Sequence, residues 1–195
     1  MSSSPVLRLA SASPRRRELL AQIGVPHAVA VPDVDERARD GEAVSAYVER
    51  VARAKAAAIW QRVQDLPVLG ADTTVVLDGV SLGKPQHRAH GLSMLEALAG
   101  REHRVLTAVA LVSAAGAHCL TSTSTVRMRA STAQERARYW DSGEPRDKAG
   151  GYAIQGLGAV FIESLQGSYS GVMGLPLFET AQLLAAAGVP CWSAL

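Results

Sequence analysis

Three consecutive arginines, Arg15-Arg16-Arg17, follow Ser13-Pro14 at what reads as a helix start. Pro14 suits the first helical position, Ser13 is a good N-cap and Gly24 can close the helix. A helix N-terminus carries about +0.5 of a charge and favours acids, yet this first turn is cationic. Either the arginines are simply solvated, or an anion such as phosphate meets them at the helix end. Other charged residues sit just as conspicuously. Lys55 lies eleven residues after Val44, close to three helical turns, so it falls inside the apolar stripe Val44, Val48, Val51, Ile59. It is either a snorkelling side chain or a cation aimed into a cleft. Asp72 interrupts the apolar run Val68–Leu77, where strand interiors disfavour Asp. A lone buried carboxylate is neutralised or costs several kcal/mol. Asp72 therefore needs a cation, a metal or an open cleft, unless it points outward at a bulge beside Gly70. Lys84 is held between Gly83 and Pro85, Asp35 and Glu36 form an acidic turn, and Lys148 and Gln155 lie in the glycine-dense loop Gly143–Gly158. Gln155 offers both a donor and an acceptor to a base edge. Cations for phosphates, with carboxylates for a divalent metal and a water, are what hydrolysis of a nucleoside triphosphate requires.

The elements that must position these residues alternate between strand and helix. Strands are expected over Val6–Ala10 and Val25–Val31, a helix from Ala43 to about Gln64, and a strand over Val68–Leu77. Asp78-Gly79 predicts a type I′ hairpin turn into Val80–Leu82. A helix over His87–Ala99 and two long strands, His103–Val112 and Ala117–Met128, follow. Thr121, Thr123 and Thr125 suit a half-exposed sheet face. Ser131-Thr132-Ala133-Gln134 has the form of a capping box opening a helix that Tyr139 and Trp140 anchor to the core. The glycine-dense loop then leads into an expected strand at Ala159–Ile162, with its glycines letting backbone N–H groups approach a ligand. A second glycine loop, Gly167–Gly171, precedes a last helix over Pro176–Ala187.

Composition narrows the class. With 195 residues, 48% of them hydrophobic, the chain can bury a real core as one domain or as two lobes around a cleft. A net charge of +2 and 5% aromatic residues argue against a nucleic-acid or polybasic membrane protein. Cys119 and Cys191 show no CxxC or CxxH spacing, which fits a reduced cytosolic setting without structural zinc. The start, Ser2–Ser4 followed by a strand pattern, has no signal-peptide core, and no span of about 18 apolar residues occurs. Gly83-Lys84 does not satisfy G-x-x-x-x-G-K-[ST], so a P-loop is rejected. His87 and His90 lack an HExxH pattern and read as surface histidines.

Six motifs occur in a set order: Ser11-Ala12-Ser13-Pro14-Arg15-Arg16; Gly70-Ala71-Asp72-Thr73; Gly83-Lys84-Pro85; Asp147 to Gly156; Gly167-Ser168-Tyr169; and Gly174-Leu175-Pro176. Together they resemble the Maf family of nucleotide pyrophosphatases, over about Leu7 to Leu184. The resemblance implies one Maf-type domain over residues 1–195. Its fold would be α/β, with two lobes around a central mixed sheet and a substrate cleft, related to the inosine triphosphatase fold. It implies a cytoplasmic house-cleaning enzyme, often a homodimer, that cleaves a nucleoside triphosphate to the monophosphate and pyrophosphate. A divalent cation, magnesium or manganese, would assist, and neither nucleic acid nor membrane would be a partner. Carried over by motif, Asp72 is the proton acceptor. Ser11, Arg16, Lys55, Lys84 and Lys148 bind the substrate, and Glu36 lines the site, with Glu36 and Asp72 as the expected metal ligands. Arg15, Thr73 and Gln155 stand at the places that discriminate subgroups and are similar to the dTTP/UTP type. The 7-methyl-GTP type tends to carry Trp, Gln and Glu there. A nucleotide-binding regulator of septum formation is the alternative from a different class.

Overall fold

The computed structural model describes residues 4–193, so Ser2 and Ser3 of the N-terminal reading lie outside the described residues. The fold is α/β with a mixed sheet. Its strands are β1 (Leu7–Ala10), β2 (His27–Val29), β3 (Val68–Leu77), β4 (Val80–Leu82), β5 (Glu102–Ser113), β6 (Gly116–Met128) and β7 (Ile162–Gln166). They hydrogen-bond in the order β2-β1-β3-β5-β6-β7, with β4 on β3. The helices are α1 (Pro14–Gln22), α2 (Val44–Arg62), α3 (Arg88–Leu98), α4 (Ala133–Asp141), α5 (Tyr169–Met173) and α6 (Leu177–Ala186). The chain forms two compact units.

The first unit comprises Met1–Asp72, Thr107–Ser122 and Gly174–Leu195. Here β1 pairs in parallel with β2 on one side, Leu7 opposite His27, and with β3 on the other, Ala10 opposite Gly70. Parallel strands need helical crossovers, which α1 and α2 supply. Pro14 is the first residue of α1, Ser13 precedes it in extended conformation, and Gly24 follows at φ 63°. The Ser13 side chain makes no capping bond. The core is apolar throughout: Leu7, Leu9, Leu20, Val48, Val51, Ile59, Leu69, Leu111 and Leu184 are buried.

The second unit comprises Thr73–Leu106 and Thr123–Met173. Asp78 and Gly79 have φ of 52° and 81°, the two positive values a type I′ turn requires, and β4 returns antiparallel along β3. Its core gathers Val75, Leu77, Leu95, Leu98, Val126, Tyr139, Ile154 and Phe161. Gly91 of α3 lies under the Trp140 ring of α4, where any side chain would overlap the indole.

Two local expectations need correction in this unit. The capping box exists, but one residue later than Ser131 and Gln134 suggested: Thr132 Oγ1 accepts from Glu135 N at 3.2 Å, and Glu135 Oε2 accepts from Thr132 N at 2.7 Å. A carboxylate closes the box better than an amide, because it also favours the positive helix end. The run expected as a strand at Ala159–Ile162 is instead a 3₁₀ turn over Leu157–Phe161, and the strand begins where that turn ends, at Ile162.

Candidate active site

The first unit builds a charged cluster from four segments. Gly70 and Asp72, two residues apart on β3, face the same way, and α2 lies against that face. A Cβ on Gly70 would sit 2.5 Å from the Ala52 carbonyl oxygen and 2.7 Å from the Ala56 nitrogen. Glycine at that position lets the α2 backbone approach β3 closely enough for Lys55 to reach Asp72. Lys55 Nζ donates to Asp72 Oδ1 at 2.8 Å and to Glu36 Oε2 at 2.8 Å. Lys55 and Asp72 are 7% and 6% exposed, whereas about half of the Glu36 side chain is open. Of the two readings of Lys55, the structure shows the inward cation, and Asp72 has the cation it needed.

Glu36 sits in the irregular stretch between β2 and α2, and α2 also fastens that stretch. Tyr47 Oη donates to the Glu36 carbonyl at 2.9 Å. Arg50 donates to both oxygens of Glu42, at 2.6 and 2.8 Å, and to the Arg37 carbonyl at 2.9 Å. Asp35, the other acid of that turn, pairs with Arg37 at the surface.

Arg16 completes the cluster. It donates to the Gly174 carbonyl at 2.7 Å and to Ser11 Oγ at 3.2 Å, while Ser11 Oγ also accepts from Ser13 N. Ser11 therefore supports the start of α1, a task that the Ser13 side chain leaves undone. Arg15 and Arg16 are half-buried and Arg17 is exposed.

The electrostatics of this cluster favour proton chemistry at Asp72. Burial raises the Asp72 carboxyl above the ordinary carboxylate value, against the charge and hydrogen bond of Lys55 and the charge of Arg16. Burial likewise presses Arg16 down, and Asp72 and Glu36 act in the other direction. The Tyr47 phenol is pushed up to about 12 by burial, then by the negative charge of Asp72 and Glu36. A desolvated carboxylate fixed by an ammonium is a stronger base than one in water and is already oriented.

No group of three or more His, Cys, Asp or Glu suited to a metal exists among the described residues. Glu36 and Asp72, bridged by Lys55, nevertheless provide a two-carboxylate donor set. That suits an ion that takes one or two carboxylates and completes its shell with phosphate oxygens and water.

The second unit holds the other expected site residues. Thr73 follows Asp72 on β3 and is half-buried; Lys84 is exposed while its neighbour Pro85 is buried. The turn bearing Lys84 is tied to the glycine loop, since Gly150 N donates to the Gly83 carbonyl at 3.0 Å. Lys148 is engaged within its own turn, donating to the Glu144 carbonyl at 3.1 Å and to Asp147 Oδ1. Gln155 is exposed, between the buried residues Tyr152, Ala153 and Ile154 and the buried Gly158.

The glycine-dense loop serves a purpose the sequence reading missed. Two of its N–H groups, those of Leu157 and Gly158, are taken by the Glu144 carboxylate at 2.8 and 2.9 Å rather than presented to a ligand. Composition gave no sign of Glu144, which lies outside the charged motifs' obvious spacing.

The family described as "Maf-like protein" matches residues 6–187. A protein of Bordetella avium named "dTTP/UTP pyrophosphatase" is 56% identical over 97% of this chain and 98% of its own length. One of the same name from Hahella chejuensis is 52% identical over 96% and 94%. Among solved structures, the Staphylococcus aureus Ham1 protein aligns with 63% of this chain and 71% of its own, at 16% identity and a TM-score of 0.47.

Proposed function

Because the chain belongs to the Maf-like protein family, we propose that it is a nucleoside triphosphate pyrophosphatase acting on dTTP and UTP. The observation that carries this reading is the buried Asp72–Lys55 pair with Glu36 on its open side and Arg16 in the same field. The names of relatives at 52–56% identity over nearly the whole length support the substrate.

Asp72 orients the attacking water toward the α-phosphorus and accepts its proton at the carboxylate. Lys55 keeps that carboxylate ionised in a desolvated place and holds it in one rotamer. Arg16, positioned by Ser11 and the Gly174 carbonyl, stabilises charge on the phosphates as pyrophosphate leaves; Lys84 adds a cation for the same purpose, and Lys148 borders the loop. Glu36 and Asp72 are the residues that would hold a magnesium or manganese ion, which would supply Lewis-acid polarisation of the phosphoryl oxygens. Gln155, neutral and able to donate and accept, suits the carbonyl and N–H edge of a pyrimidine, with Arg15 and Thr73 as the further selectivity residues.

The same reading makes the protein a cytoplasmic house-cleaning enzyme, working as a homodimer on small-molecule nucleotides, with neither nucleic acid nor membrane as partner. Among the described residues no helix is long and apolar enough to cross a membrane.

A panel of triphosphates tests the proposal, with pyrophosphate and orthophosphate release measured separately and divalent metal added or withheld. Metal-dependent pyrophosphate release, fastest with dTTP and UTP, is the expected result. Preference for 7-methyl-GTP would overturn the substrate, and nucleotide binding without any hydrolysis would leave a regulator instead.

A further inference from the structure

Between the buried Ile154 and the buried Gly158, Gln155 stands on a short exposed bridge of loop. Two side chains from outside the bridge hold both of its ends. On the near side, Tyr139 Oη accepts from Ala153 N at 3.0 Å. On the far side, Glu144 Oε2 accepts from Leu157 N at 2.8 Å and Oε1 from Gly158 N at 2.9 Å. The two anchors are joined, since Tyr139 Oη donates to Glu144 Oε1 at 2.7 Å. One connected network therefore grips the backbone two residues before Gln155 and two and three residues after it.

The glycines of the segment follow from this grip. Any Cβ on Gly156 would overlap the Glu144 carboxylate, and one on Gly158 would lie 2.5 Å from Tyr139 Oη and 2.7 Å from the Ala153 carbonyl. The backbone is pressed onto the two polar anchors. Tyr139 is fixed in turn by its place on α4, where its ring meets Phe161 edge-on at 5.3 Å.

We infer that Glu144 and Tyr139 are positioning residues for base selection, setting the pitch at which Gln155 meets the nucleobase. The inference rests on the reading of Gln155 as a base-reading residue. A side chain that distinguishes bases by hydrogen bonds must be held to within a few tenths of an ångström, and backbone anchors on both sides provide that without touching substrate. The network is also polar and directional, so a change of one atom type alters geometry more than packing.

The test compares the wild-type protein with Glu144→Gln, Tyr139→Phe and Gln155→Ala. For each, kcat and KM are measured on the triphosphates the wild-type protein turns over fastest and slowest, beside the melting temperature. In Glu144→Gln an amide N–H₂ replaces an acceptor against the two backbone N–H groups. The selectivity ratio is expected to fall about tenfold, mostly through a raised KM for the better substrate, with kcat within about twofold. Tyr139→Phe keeps the ring and loses only the hydroxyl, so it carries the test even if Glu144→Gln lowers folding, and it should lower the ratio in the same direction. A lowered melting temperature with an unchanged ratio in both variants would overturn the inference and leave a purely structural network. If Gln155→Ala changes the ratio while the other two do not, the inference alone fails. If Gln155→Ala leaves the ratio unchanged, the reading of Gln155 fails and takes the inference with it.

Discussion

Each unit of the molecule is organised around one carboxylate, and the two are treated in opposite ways. Burial raises Asp72, and its hydrogen bond comes from a charged partner, Lys55. For Glu144, burial also pushes upward, but N–H donors from Gly158 and Leu157 and the Tyr139 hydroxyl outweigh it and hold the group below the usual range. A carboxylate saturated by neutral donors is locked as an anion and becomes scaffold. One that is desolvated and held mainly by a single ammonium retains proton affinity and is available for chemistry. Depth of burial set against the number of donors distinguishes the two: Asp72 is buried and its burial outweighs Lys55, whereas Glu144 is half-buried and its three neutral donors outweigh burial.

The sharpest way to break that contrast is to neutralise Asp72. Asp72→Asn should lower pyrophosphate release by about 10²–10⁴, the usual contribution of a general base, while leaving the selectivity ratio of any residual activity unchanged. Near-wild-type turnover would remove Asp72 from the base role. Removing its partner is the next largest change. Lys55→Met leaves a buried carboxylate without its cation, which costs about 3–5 kcal/mol where a buried pair is broken. It should also move the acidic limb of the pH–rate profile upward, because the charge that opposes burial at Asp72 is gone. Denaturant titration and a kcat/KM profile against pH measure the two effects. Stability within about 1 kcal/mol and an unmoved limb would show that Lys55 does not hold Asp72 ionised.

How much of this could be read from the sequence also divides between the two units. Lys55 and Asp72 were legible because each violates its own element's pattern, a cation in an apolar stripe and an acid in an apolar strand. The helix period placed Lys55 on the inward stripe, but its pairing with Asp72 was visible only in the structure. Glu36 was legible only as an acid in a turn, since its place depends on Tyr47 and Arg50 reaching back from α2. Glu144 and Tyr139 were not legible as a network at all. Their partners are backbone N–H groups, which every residue carries and no composition reveals. The same cause explains the strand expected at Ala159–Ile162. Its apolar run fits a strand, but the capture of Leu157 N and Gly158 N by Glu144 turns the backbone into a 3₁₀ helix first.

The second unit offers a pH test of its own. His103 is 3% exposed, its Nε2 lies 2.7 Å from Tyr152 Oη, and Nδ1 has no hydrogen-bond partner among the described residues. Burial pushes its pKa down to about 4, from 6.5. The unfolded chain therefore binds the proton first as pH falls. The stability present above pH 6.5 should drop between there and pH 4, by a total of about 3 kcal/mol. Asp72, raised on folding, contributes with the opposite sign at the acid end, so the difference between wild type and His103→Phe isolates the histidine. The variant should show a flatter fall in melting temperature across that window. An unchanged slope would mean that the ring is already protonated in the folded protein.

The smallest expected effect bears most directly on whether the Glu144 network positions Gln155 or merely supports α4. Thr132 caps the same helix that carries Tyr139, through Oγ1 and the Glu135 amide. Thr132→Ala removes that acceptor and should cost about 1 kcal/mol, as N-cap losses usually do, which lowers the melting temperature by roughly 2–4 °C in a chain of this size. It touches neither Glu144 nor the loop, so the selectivity ratio should stay at the wild-type value. Thr132→Ala and Tyr139→Phe then form a pair on one helix, the first altering stability without selectivity and the second altering selectivity. A ratio that falls equally in both would mean that base choice follows the general firmness of α4, and the distinction between a chemical carboxylate and a positioning one would lose its second half.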